Sequence, residues 1–320
     1  MTADADQGDV HVVALGGGHG LAASLAALRR ISGSVTAVVT VSDDGGSSGR
    51  LRRELGVLPP GDLRMALAAL CGDDEWGQTW SRVVQHRFRS QGELHNHAVG
   101  NLLIVALWEL LGDTVEGLDW VGRLLGAKGR VLPMAIVPLQ LEAVVRDGAA
   151  DDAVTTVRGQ EAVALATGRV VRVSLVPADP PACPEAVQAI LAADWVVLGP
   201  GSWFSSVIPH LMVPELAAAL TQTQAKRLVA LNLAAQPEET AGLSPQAHLE
   251  VLREHAPGLA LDVVLADPKT VPDVGALERA AKTLDARLAL APVGMADGSP
   301  RHDPELLAAA YRDVFSRGRI

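Results

Sequence analysis

The sequence predicts an α/β fold, doubly wound around a mostly parallel sheet and carrying a largely helical insertion. Two observations predict it. Short apolar stretches alternate with helical ones along most of the 320 residues, the pattern of a parallel sheet covered by helices. Glycine-rich turns close three of the apolar stretches at the point where strand should give way to helix. With no internal repeat and no low-complexity linker, residues 1–320 read as one domain, in which 1–9 is an acidic frayed tail.

The first unit sets the pattern. Residues 10–15 form an apolar strand, Gly16, Gly17, Gly18, His19 and Gly20 form the turn, and residues 21–28 continue as a helix. Strand, glycine turn and helix N-terminus together make an anion site, because unpaired helix amides and the helix dipole face the incoming phosphate. The spacing Gly18-x-Gly20-x-x-Ala23 is the alanine-ended variant of the dinucleotide fingerprint.

The second unit is richer. The strand at 35–41 runs into Ser42-Asp43-Asp44-Gly45-Gly46-Ser47-Ser48-Gly49-Arg50. Turned amides and hydroxyls make an anion-binding concavity, and the two carboxylates suit a ribose, a metal ion or a proton transfer. Asp43 and Asp44 also fall about 20 residues past the glycines, where a ribose-binding acid is expected. A polar strand-to-helix turn is the structural alternative.

Residues 60–125 offer helices at 62–70, 76–88 and 98–111 and no clear strand, which makes them the helical insertion. Asp62 and Arg64 are either ligand- or phosphate-binding residues, or a cap on the first of these helices with a charge on its solvent face. His95 and His97 lie two apart, a spacing that does not suit zinc, so His97 and Asn101 are read as hydrogen-bonding groups. Strands are expected at 130–136 and 139–145, with a turn at Asp147-Gly148, and residues 162–165 extend this β-rich excursion.

Alternation resumes with a strand at 170–176, a helix at 184–193 and a strand at 195–198. Gly199, Pro200, Gly201 and Ser202 follow, with Ser205 and Ser206 just beyond. Ligands in open α/β sheets sit at the carboxyl ends of strands, so this loop should share a crevice with the first two. Strands at 228–233, 261–265 and 288–290 and a helix at 304–315 complete the chain, and Asn232 lies at the same edge of the sheet.

Composition narrows the classes. A net charge of −10 and only 3% aromatic residues argue against nucleic acid as a partner. No apolar run reaches the roughly 18 residues of a membrane span, and the start lacks the basic and apolar regions of a signal peptide. Cys71 and Cys183 have neither metal-ligand nor redox spacing and read as reduced, buried thiols of a cytoplasmic protein. The Walker A pattern is absent from the sequence, and Gly201-Ser202-Trp203 lacks the second glycine of a nucleophile elbow.

Taken together, 13–21, 43–51, Pro59-Pro60-Gly61-Asp62-Leu63-Arg64, His97-Ala98-Val99-Gly100-Asn101-Leu102 and Gly199-Pro200-Gly201-Ser202 resemble, in order and spacing, the bacterial gluconeogenesis-factor family (YvcK type). That family lies in the CofD-like superfamily of 2-phospho-L-lactate transferase. The resemblance runs from about residue 11 to about 270 and implies a Rossmann-like fold. It also implies a cytoplasmic protein supporting cell shape and envelope synthesis on gluconeogenic carbon sources, with UDP-sugars such as UDP-N-acetylglucosamine as ligands.

In that reading Gly16–Gly20 and Gly199–Ser202 receive a diphosphate, Asp43 or Asp44 takes ribose or sugar hydroxyls, and His97 and Asn101 orient the distal group. The related transferase suggests an alternative, a Mg²⁺-dependent enzyme acting on a phosphorylated substrate, with Asp43 and Asp44 holding the metal. The fold alone admits NAD, although no paired His-Asp or Tyr-Lys hydride-transfer motif accompanies it. A regulatory protein partner and a homodimer complete the expectations. The chain departs from the family pattern at His19, Asn96, Trp203-Phe204, Ala235 and Glu238.

Overall fold

The structure, a computed structural model, describes residues 10–146, 154–166, 168–235 and 243–317. The chain begins with β1 (His11–Gly16), α1 (Gly18–Leu28), β2 (Ser34–Val39) and α2 (Gly46–Leu55). Four helices follow, α3 (Gly61–Leu70), α4 (Glu75–Gln85), α5 (Val99–Leu111) and α6 (Thr114–Leu125), before β3 (Arg130–Pro133). This is the expected helical insertion, and it forms the crossover between two neighbouring strands.

A second excursion comprises β4 (Gln140–Arg146), β5 (Val154–Arg158), α7 (Gln160–Ala164) and β6 (Arg169–Val176). The chain then returns through α8 (Pro184–Ala192) to β7 (Trp195–Leu198), a π-helical turn at Trp203–Val207, α9 (Ile208–Leu211) and α10 (Pro214–Gln222). The last units are β8 (Lys226–Ala230), α11 (Pro245–His255), β9 (Val263–Ala266), α12 (Val274–Lys282), β10 (Arg287–Leu290) and α13 (Pro304–Arg317).

Seven strands form one parallel sheet in the order β10-β9-β8-β7-β1-β2-β3. Its central strands read as unbroken apolar runs because helices cover both faces, and Ala14, Leu15, Val38, Val197 and Leu198 are fully sealed or nearly so. Each such valine or leucine side chain contributes about 1.5–3 kcal/mol through burial. One face is closed by α13, where Tyr311 bonds Ser24 of α1 at 2.9 Å and Phe315 stacks on Trp195 of β7.

Three local expectations are corrected. Residues 162–165 are not an extension of the β excursion: Gln160–Ala164 is a helical turn. A short apolar run carries no periodicity that separates strand from helix. The strand near 170–176 does not rejoin the main sheet but pairs antiparallel with β4, in a separate three-stranded sheet ordered β5-β4-β6. Asp62 does not cap α3. That helix starts at Gly61 with Pro60 before it and has no side-chain cap. The turn at Asp147-Gly148, the tail 1–9 and Glu238 lie outside the described residues.

Cys71 and Cys183 are buried free thiols, pushed up to about 11 and about 12 by burial, and so remain protonated. Among the described residues no single helix is long and apolar enough to cross a membrane.

Candidate functional site

Strand order creates the site. The chain runs outward from β1 through β2 to β3, then returns to the other side of β1 at β7. The order therefore reverses between β1 and β7, and a doubly wound sheet opens a crevice at the carboxyl ends of such a pair. The loops there are Gly16–Gly20 and Gly199–Ser202, the two glycine turns singled out in the sequence.

Glycine is required because these loops touch. A Cβ on Gly20 would collide with the Pro200 carbonyl and would come within 2.6 Å of Gly201 Cα. The second loop is locked by Asn232, which follows β8. Its Oδ1 accepts from Gly201 N at 2.9 Å and its Nδ2 donates to Gly201 O at 2.8 Å. Asn232 thus positions the backbone of the loop with both ends of its amide. His19 is exposed at the crevice rim.

Two carboxylates meet beside the first loop. A Cβ on Gly17 would sit 2.5 Å from Asp62 Oδ2, and one on Gly61 would sit 3.0 Å from Asp43 Oδ2. Asp43 also accepts from Gly45 N at 3.0 Å. Burial, then repulsion from Asp43, pushes Asp62 up to about 7, against a donated Gly18 amide and the Arg64 charge. Asp43 is raised as well, first by burial.

Asp44 is occupied elsewhere: Oδ1 accepts from Glu161 N at 3.1 Å, and Oδ2 packs against Gly159. Asp62 thus joins Asp43 beside the first loop, while Asp44, close enough to Asp43 to raise it, also holds the turn at Gly159–Glu161. Two acids fit a magnesium ion that takes one or two carboxylates and fills its shell with water and phosphate oxygens. Among the described residues no group of three or more His, Cys, Asp or Glu converges as a self-sufficient metal site.

A relay of buried polar side chains lies behind this pair. Arg64 is buried, not solvent-facing, and its Nε donates to Asn101 Oδ1 at 2.9 Å. Asn101 Nδ2 donates to Ser47 Oγ at 3.0 Å, and the Ala98 amide donates to the same oxygen at 3.2 Å. Asn101 therefore acts through Ser47, since both ends of its amide are used inside the protein. Among the described residues one Arg64 terminal nitrogen and His97 Nε2 are buried without partners, and His97 is held below the ordinary histidine range by burial and by Arg50.

Beyond Ser47 the surface opens into a cleft of about 690 Å³ lined by Gly46, Ser47, Arg50, Arg53, Arg87 and Glu161 among others. Arg53, Arg87 and Glu161 carried no local signal in the sequence, because they come from three separate elements. Ser48 lies beside Gly61, near Asp43. Trp203 is fully buried, with its ring edge-on to His248 at 5.2 Å, so the departure at 203–204 is a packing feature. Asn96 has φ +57°, a left-handed position that glycine fills by default and asparagine tolerates best among side chains. That explains the asparagine there.

The 2-phospho-L-lactate transferase CofD family model matches residues 12–290. A Mycobacterium tuberculosis protein is 54% identical over 310 residues, covering 96% of this chain and 90% of the relative. The gluconeogenesis factor of Halalkalibacterium halodurans is 36% identical over 263 residues, 82% of this chain and 79% of its own length. A crystal structure of a UPF0052-family protein from Bacillus halodurans superposes with a TM-score of 0.83 at 32% identity, covering 94% of this chain and 98% of that one. With its fold, its motif order and these relatives in agreement, the chain belongs to the gluconeogenesis-factor family and carries a CofD-like domain.

Proposed function

We propose that the crevice between β1 and β7 binds a nucleotide sugar of the UDP-N-acetylglucosamine type, and that binding serves a regulatory role in envelope synthesis and cell shape during gluconeogenic growth. The observation that carries this reading is the contact of Gly20 with Pro200 and Gly201, which brings two amide-rich backbones together at the switch point. Such a pair suits a diphosphate, whose oxygens accept from backbone N–H groups. Asp43 and Asp62 stand next to it, placed for hydroxyls or for a magnesium ion on the diphosphate.

The carboxylate pair favours a second reading, a Mg²⁺-dependent transferase acting on a phosphorylated substrate. A magnesium ion there would neutralise charge on the transferring phosphate. In that case Asp43 and Asp62 hold the ion, while the Gly18 amide and Arg64 favour the ionised form of Asp62.

Calorimetric titration with UDP-N-acetylglucosamine, with UDP-glucose and NAD alongside and Mg²⁺ present or absent, separates the two. The regulatory reading predicts micromolar, sugar-selective binding, about 8 kcal/mol, with the ligand recovered intact. Consumption of the ligand in the presence of Mg²⁺ would support the transferase. Equal binding of NAD would remove the sugar from the reading.

A further inference from the structure

The cleft beyond Ser47 contains none of the glycines of either crevice loop, yet it is built for negative charge. Arg50 Nη2 donates to His95 O at 2.9 Å, and Arg87 Nη1 donates to Asn96 O at 2.9 Å. Carbonyls hold these guanidinium groups in place without neutralising them. None of Arg50, Arg53 and Arg87 forms a salt bridge among the described residues. Two carboxylates, Asp44 and Glu161, share the lining, which leaves a positive balance in a chain of net charge −10.

The relay supplies an independent observation. Arginine only donates, so the Asn101 oxygen must face Arg64 and its NH2 must face Ser47. A serine hydroxyl offers two lone pairs and one hydrogen. Asn101 and Ala98 donate to the lone pairs of Ser47, so its hydrogen alone remains to be given. Ser47 is 3% exposed, lines the cleft, and has no acceptor for that hydrogen among the described residues. The chain Arg64→Asn101→Ser47 therefore leaves one buried O–H donor to be given at the lining of the cleft.

We infer that this cleft is a second anion subsite, which takes an oxyanion, phosphate or carboxylate, on a small molecule, with one oxygen accepting from Ser47 and the others facing Arg50, Arg53 and Arg87. The assignment goes beyond the nucleotide reading and rests on other residues. The oxyanion has two sources: a carboxylate on the distal sugar of the nucleotide ligand itself, or a separate phosphorylated metabolite.

The test uses the full chain and two arms at constant ionic strength. In the first, inorganic phosphate is titrated and binding is read by calorimetry. In the second, UDP-glucuronate is compared with UDP-glucose, which differ by a carboxylate on the sugar. Saturable phosphate binding points to the separate metabolite, and at least tenfold tighter binding of UDP-glucuronate points to the sugar acid.

In either case Ser47→Ala and Arg87→Gln must each weaken the response about tenfold. Arg87 is exposed, so Arg87→Gln remains informative if Ser47→Ala fails to fold. Phosphate binding without any UDP-sugar binding would sink the nucleotide reading and leave the subsite standing. No phosphate binding and no carboxylate preference, or responses unchanged in the folded variants, would overturn it.

Discussion

The crevice and the cleft sit on neighbouring strand ends and are built by opposite means. The crevice is made of backbone: glycines let two loops touch, and one asparagine amide locks them. The cleft is made of side chains, with arginines pinned by carbonyls and a serine hydroxyl held by a buried relay. The backbone crevice tolerates little substitution at Gly17 and Gly20, where a Cβ would intrude on Asp62 and on Pro200. Side-chain recognition is graded, because each charge can be removed singly. The difference predicts how each region should respond to mutation.

The largest effect is expected where the relay is cut. Asn101→Ala strands the buried Nε of Arg64 and removes a donor from Ser47, which should cost about 3 kcal/mol in urea denaturation. A change below about 0.5 kcal/mol would show that the relay is not structurally coupled. Gly20→Ala comes next. Its methyl group has to push the Pro200 loop away, at about 1–3 kcal/mol, and UDP-sugar binding should be lost together with that stability.

Asn232→Ala tests the crevice more finely. It frees Gly201 without adding bulk, so affinity for a UDP-sugar should fall about tenfold, or roughly 1.4 kcal/mol, while the fold survives. Unchanged affinity would detach Asn232 from the site. Arg87→Gln, on the cleft side, should leave stability within about 0.5 kcal/mol, since the side chain is exposed.

The carboxylate pair adds a pH signature between the two regions. Asp62 has a folded pKa of about 7 against an ordinary value of 3.8. At this group the folded state therefore binds more protons than the unfolded state, so its own contribution to stability falls as pH rises from about 4 to about 7, while His210, held down to about 4 by burial, contributes in the opposite sense. Above 7 this contribution is flat. Asp62→Asn should remove this contribution, read as a difference in slope from the parent, and Mg²⁺ affinity of the parent protein should rise through the same range as the carboxylate ionises. The same slope in the parent and in Asp62→Asn would contradict the assignment.

The crevice was legible in the sequence because its constraint is local. Gly17 and Gly20 are glycine for close approach, and their positions after an apolar strand mark them. The cleft was only half legible. Ser47 and Arg50 stood out in the loop after β2, whereas Arg53, Arg87 and Glu161 reach it from α2, the segment after α4 and α7, and only the fold brings them together.

Asp62 and Arg64 were visible as a pair, but the sequence left a site role and a cap with a surface charge equally open, since sequence does not show that Arg64 is buried and that α3 has no side-chain cap. The misreading of 162–165 has a similar cause: Ala-Val-Ala-Leu suits a strand or a helical turn, and packing of Gln160–Ala164 beside Asp44 decides.

The most direct test of the central claim is a crystal structure of the chain with UDP-N-acetylglucosamine and Mg²⁺. The account predicts diphosphate density against the amides of Gly16–Gly20 and Gly199–Ser202, with Asp43 and Asp62 beside it. A nucleotide bound only in the arginine cleft, or no nucleotide at saturating concentration, would contradict it.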